Sequence, residues 1–277
     1  MIDLSRTYLW RKLREQKILR THKRVAGICE RLIEDYEANP VHYEFAQKKV
    51  FPSDRIIWQY WAQGYEQLPK VVSECLASVD RFASAYTIIR LSDENLDEYL
   101  DIPKFIQDKR HLMTTAHFSD LLRLMLLKTY GGIWMDATIL LTGPIPQEYV
   151  DQDFFVFRRD PNEPDYKYWR NVYAYYFGWA KGFRVNMLSS FMVAHIGSGI
   201  VSRLCDLLLY WWEKENYLPD YFFLQILFDV AIPDKIGLLA SDTTPHYLQQ
   251  SMNDPSFRLM AQSTIKERVQ LHKLTYK

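Results

Sequence analysis

Cysteine is scarce, with only Cys29, Cys75 and Cys205 in 277 residues. An odd, scattered set supplies neither a disulfide framework nor the paired spacing of a metal site, so reduced thiols in a cytosolic protein are expected. Charge of one sign is lacking too. The 34 basic side chains balance 34 acidic ones, which argues against a protein that lives by gripping nucleic acid. No uninterrupted apolar run reaches bilayer-spanning length, and the first residues hold no apolar stretch of signal-peptide type. Internal repeats and low-complexity tracts are missing as well. The expectation is a cytoplasmic chain that meets any membrane-bound material from the inner face.

What is present is apolar and aromatic. A hydrophobic share of 48% excludes intrinsic disorder, and an aromatic share of 15% exceeds the needs of a core. Surplus rings suit a site that stacks on bases or sugars. The neutral total hides a local bias. Arg6, Arg11, Lys12, Arg14, Lys17, Arg20, Lys23 and Arg24 face only Asp3 and Glu15 in the first 24 residues. Tyr8, Leu9 and Trp10 lie among them. The spacing predicts a helix over 4–38 that packs on the domain, and its basic start is a candidate for peripheral contact with anionic lipid.

Further along, a strand over 55–61, a helix over 68–82 and a strand over 85–91 form a βαβ unit, which predicts a parallel sheet. Short helical turns follow at 95–100 and 103–108. A helix over 119–130, with Ser119 as its candidate N-cap, is stopped by Gly131-Gly132. The brief strand Ile133-Trp134-Met135 then runs into Asp136. Strands are expected at 139–141 and 154–157, a long loop or acceptor-side insertion at 159–180, and helices at 200–213 and 220–230. The organisation expected is an N-terminal helical extension over 1–50 and one α/β domain over 51–277.

In an open α/β sheet, ligands bind at the C-terminal ends of the strands. Asp136 stands at such an end, with Trp134 turned to one face and Ile133 and Met135 to the other. A carboxylate there can hold a divalent cation or a ribose hydroxyl. Asp120 and Arg123, three apart, share one side of the preceding helix. Taken alone, each group also has a plain structural reading: a turn aspartate, a solvated helical ion pair, and core rings for at least one of Trp58, Tyr60 and Trp61.

Ser119-Asp120-x-x-Arg123, six residues, and then Tyr130-Gly131-Gly132-Ile133-Trp134-Met135-Asp136-Ala137-Thr138 resembles the signature of capsular polysaccharide synthesis glycosyltransferases. These are similar to the wider family 32 of sugar transferases. Ile56 to Trp61 and Tyr86 to Asp93 resemble its first two strands, and His272 to Lys277 resembles the closing motif of the capsular group. The resemblance implies a GT-A fold, Rossmann-like with a mixed, mainly parallel sheet flanked by helices. It also implies a nucleotide-diphosphate sugar donor, with uridine the commonest base, and a retaining reaction. Trp58, Gln59, Tyr60 and Asp93 would lie near the base, and Asp120 and Arg123 against the donor sugar. Trp134, Met135, Asp136, Ala137 and Thr138 would line the donor site, joined by His272, Lys273 and Lys277. Asp220 matches a carboxylate kept close to the transferred sugar. The acceptor would be a saccharide or lipid-linked oligosaccharide.

One position departs from the pattern. The wider family has Asp-x-Asp, and Thr138 stands where the second carboxylate belongs. Mn²⁺ or Mg²⁺ is still expected, held by Asp136 and His272, with weak retention of the metal or cationic replacement by Lys273 and Lys277 as the other outcomes. The rival to an enzyme is a catalytically inactive module that binds nucleotide sugar or saccharide on the same scaffold.

Overall fold

The structure is a computed structural model and describes residues 8–232, 237–259 and 269–276. It opens with helix α1 (Tyr8–Ala38), whose Val25, Cys29, Leu32 and Tyr36 recur at helical spacing and are buried. That stripe packs against α7 (Gly199–Lys214) and α8 (Phe223–Ala231). The helix thus closes over the main core, as the plainer reading of its sequence had it.

Strand β1 (Ile56–Tyr60) pairs in parallel with β2 (Thr87–Leu91) across the crossover helix α2 (Lys70–Phe82). After the short α3 (Lys104–Lys109), helix α4 (Thr115–Tyr130) leads into β3 (Gly132–Met135), also parallel to β1. After the one-turn α5 (Gln147–Val150), β5 (Phe154–Arg158) and β6 (Met187–Ala194) complete the sheet in the order β2-β1-β3-β6-β5. Only β6 runs against the others, being antiparallel to both neighbours. The expected mixed, mainly parallel sheet flanked by helices is therefore present. A separate two-stranded ribbon joins β4 (Ile139–Leu141) to β7 (Leu271–Lys273) and brings the chain's far end back beside β3.

Period-two alternation divides the central strands between two apolar layers. Trp58, Tyr60 and Trp134 face the layer of α1, α4, α7 and α8, whereas Ile57, Ile133, Met135 and Phe155 face the layer of α2 and β4. Burial on both faces is what makes these strands read as continuous apolar runs.

Three expectations are corrected. Helix α4 starts four residues before Ser119, and its N-cap is Thr114, whose side chain accepts from the His117 amide at 3.2 Å. Ser119 instead donates to the Thr115 carbonyl within the helix. The segment 159–180 is not a long loop. It contains α6 (Tyr166–Val172), and its Trp169 and Phe177 form an aromatic cluster with Tyr247 of α9 (Tyr247–Asn253) and Phe257. Helix α8 begins at Phe223; Asp220 precedes it, accepting from the Phe222 amide at 2.8 Å in a local turn.

Candidate active site

The turn from α4 to β3 sets the site. Gly131 and Gly132 have φ of 67° and 92°, conformations that side chains resist. A Cβ on Gly132 would also meet the Ile56 carbonyl oxygen at 2.6 Å. The pair lets the helix stop and β3 enter the sheet at once beside β1. Four residues later the strand ends, and the Asp136 amide donates to the Ser190 carbonyl of β6 at 2.9 Å.

Here a cleft of about 440 Å³ is lined by Asp120, Arg123, Trp134, Asp136, Thr138 and Lys273, among others. Its volume is in the range of small-molecule sites. Asp136 Oδ1 accepts from Trp134 Nε1 at 2.8 Å and from Arg123 Nη2 at 3.4 Å. Its other oxygen accepts from Lys273 Nζ at 3.1 Å. Lys273 also donates to Thr138 Oγ1, and Arg123 donates to Asp120. The Arg123 guanidinium lies 5.1 Å from the centre of the Trp134 ring.

These neighbours drive the two carboxyl groups apart. Burial pushes Asp120 up to about 6, against the pull of Arg123, and the charge of Asp136 adds to the rise. Burial acts on Asp136 in the same sense, but Lys273 and Arg123 together outweigh it and hold that carboxyl below its usual range. Two acids of unlike proton affinity in one cleft are a common mark of a functional site.

Several polar atoms at the cleft lack partners among the described residues. Arg123 Nε, Ser190 Oγ and Gln225 Oε1 are buried and make no hydrogen bond to any described residue. Buried polar atoms ordinarily find a partner, so a polar ligand or ordered water is the natural complement. Ser190 and Gln225 escaped the sequence reading, as did the rings of Tyr176, Tyr221 and Tyr276 that also line the cleft. Gln225 carried a signal, being the single polar residue in Phe222–Phe228.

The expected residues divide. Tyr60, Asp120, Arg123, Trp134, Asp136, Ala137, Thr138 and Lys273 converge on the cleft. Asp93 sits just behind Tyr60, whose hydroxyl donates to it, and 3.7 Å from Arg110. Trp58 is core: its indole donates to the Gly131 carbonyl at 2.9 Å and packs on Tyr99 and Tyr130. Gln59 and Met135 are fully buried on the opposite face of the sheet and do not reach the cleft. Asp220 lines a neighbouring hollow of about 340 Å³ that shares Tyr221 and Phe222 with the cleft. Lys277 lies outside the described residues.

The expected metal pair is not assembled. Alternation along β7 turns Lys273 to Asp136 and His272 away, into a buried contact of 3.0 Å with Thr142. Burial drives the His272 imidazole down to about 4, so it stays neutral there. Among the described residues no three His, Cys, Asp or Glu side chains are grouped to hold a metal ion. Asp136 and Thr138 offer one carboxylate and one hydroxyl, and Lys273 already bridges both; the other acid of the cleft, Asp120, is paired with Arg123. The ammonium occupies the place between Asp136 and Thr138 that such an ion would take, and its charge opposes the ion's. The described residues of the cleft do not fit a divalent cation.

Fold and cleft together define an α/β protein with a charged, ligand-sized site at the C-terminal ends of its parallel strands. The chain belongs to the capsular polysaccharide synthesis protein family, whose profile matches residues 6–277. Among curated proteins it is similar to the O-glycosyltransferase braB of Annulohypoxylon truncatum, 27% identical over 172 residues. That match takes in 58% of this chain and 38% of braB, so the chain spans well under half of that relative. Among solved structures it is similar to the PaToxG glycosyltransferase, with a TM-score of 0.42 and 13% identity over 90% of this chain and 88% of the other.

Proposed function

We propose that the protein is a retaining glycosyltransferase of GT-A type that moves a sugar from a nucleotide-diphosphate sugar to a saccharide acceptor in the synthesis of capsular or related polysaccharide. The observation that carries this reading is the Asp120–Arg123–Asp136 cluster, gathered in one cleft where β3 ends, with unpartnered polar atoms around it. Family membership and the activity named for braB support the reaction class.

In the reading proposed, the nucleotide lies along the wall made by Tyr60 and Trp61, uridine being the first base to try. Asp120 accepts hydrogen bonds from donor-sugar hydroxyls, and Arg123 holds Asp120 and Asp136 in place. Asp136 receives a ribose or sugar hydroxyl. The anomeric C–O bond breaks, and its electron pair leaves on the β-phosphate oxygen. The acceptor oxygen bonds to the anomeric carbon on the same face, and its proton passes to the departing phosphate. No protein base is needed for that balance. Tyr221, Gln225 and Ser190 form the side from which an acceptor saccharide, free or lipid-linked, reaches the sugar.

Screening nucleotide sugars by thermal stabilisation identifies the donor. Asp136→Asn and Asp136→Ala are then expected to lower transfer by at least 10³-fold, while circular dichroism stays that of the wild type. Near-normal turnover in both variants would refute the assignment, and donor binding without any consumption would point to an inactive binding module.

A further inference from the structure

Resting on the transfer reading above, we infer that Lys273 takes the place of the divalent cation, so that donor binding and transfer proceed without metal. Three features meet at one point. Thr138 stands two residues after Asp136, where a second carboxylate would complete a cation site. Lys273 Nζ fills the space between those two side chains, 3.1 Å from Asp136 Oδ2 and bonded to Thr138 Oγ1. β7 is fixed there by its ladder with β4, in which Lys273 pairs with Ile139, and by the Leu274 amide donating to the Thr138 carbonyl at 2.9 Å.

Net charge at this point is the same with either arrangement. Two carboxylates and a divalent ion sum to zero. One carboxylate, one hydroxyl and one ammonium also sum to zero. Exchanging aspartate for Thr138 removes one negative charge, and exchanging the ion for Lys273 removes one positive charge. The local field met by a diphosphate is thereby kept in sign. Lys273 retains a third N–H for a phosphate oxygen after bonding Asp136 and Thr138. When the anomeric C–O bond breaks, the leaving diphosphate gains one negative charge until the acceptor proton reaches it, and the ammonium opposes that charge. The ammonium is part of the fold, so it need not be recruited from solution.

Titration calorimetry with UDP, GDP and ADP, on protein stripped with EDTA and again with 2 equivalents (about) of Mn²⁺ or Mg²⁺, tests this directly. The expected result is a nucleoside diphosphate bound with affinities within about twofold of one another in all conditions. Lys273→Met is expected to weaken that binding by about tenfold or more, and Lys273→Arg to recover most of it. Thermal unfolding of each variant checks that β7 stays docked. Binding that needs added metal, or that Lys273→Met leaves unchanged while still folded, overturns the inference and leaves the transfer reading standing. If no nucleoside diphosphate binds in any condition, the transfer reading falls and this inference falls with it.

Discussion

Asp120 is 8% exposed and yet ionisable, and its environment fixes what pH will do to the site. With burial holding its carboxyl near 6 and Arg123 beside it, the carboxylate form dominates at neutral pH and is lost as pH falls through that value. A carboxylate accepts sugar hydroxyls more strongly than the protonated acid, whose O–H is a donor. The expected outcome is an acidic limb in kcat/KM near pH 6, which reports the free enzyme. Asp120→Asn should lower kcat/KM by about 10²-fold or more and remove the limb. A wild-type profile flat from pH 5 to 8 would show that Asp120 does not act as a carboxylate. At this scale Asp136 was legible, because a Gly-Gly stop, a four-residue strand and an acid leave little choice of position. Trp58, Gln59 and Met135 were not, because alternation says which residues share a face but not which face meets the ligand. In a strand buried on both sides, apolarity does not mark the difference.

Among the elements, the α4–β3 turn is the one on which the site's geometry hangs. Both its glycines adopt left-handed backbone angles, and Gly132 touches β1 as well. Gly132→Ala would combine a backbone conformation costing roughly 1–3 kcal/mol with a clash against the Ile56 carbonyl that only a shift of β3 relieves. A fall in Tm of about 5 °C or more is expected for a chain of this size, together with loss of donor binding as Asp136 moves. An unchanged Tm would mean that the turn accommodates a side chain and does not set the strand. The pairing of β7 with β4 shows the complementary limit of sequence. His272 and Lys273 are adjacent and both suited to a phosphate site, and only the register Leu140↔His272 and Ile139↔Lys273 decides that lysine faces the cleft. The segment 159–180 misled for another reason. Its tyrosines and tryptophans looked like a polar, ring-bearing loop, but Trp169 and Phe177 meet partners some 70 to 90 residues later in the chain, at Tyr247 and Phe257. Local pattern carries no sign of so distant a partner.

Across the whole molecule, the placement of α1 relates the cleft to a surface. No helix among the described residues is long and apolar enough to cross a membrane. The first turns of α1 nevertheless show Tyr8, Leu9 and Leu13 at 72%, 67% and 51% exposure, interleaved with Arg11, Lys12, Arg14 and Lys17. One turn further on, Lys17 and Ile18 line the hollow that shares Tyr221 and Phe222 with the cleft. An apolar edge within a basic field suits an anionic bilayer surface, each basic residue near it contributing about 1 kcal/mol. We propose that this end of α1 rests on anionic lipid and turns the acceptor side of the cleft toward the membrane, where a lipid-linked saccharide would present its sugar. Co-sedimentation with vesicles of phosphatidylglycerol and phosphatidylcholine should capture the protein at low salt and release it at high salt, with vesicles of phosphatidylcholine alone capturing little. Replacing Leu9 and Leu13 by Ser, or Arg11 and Lys12 by Gln, should weaken capture several-fold without altering turnover on a short water-soluble acceptor. Equal capture by both vesicle types, or none by either, would defeat the proposal and leave the chemistry of the cleft untouched, because no residue of this helix end lines it.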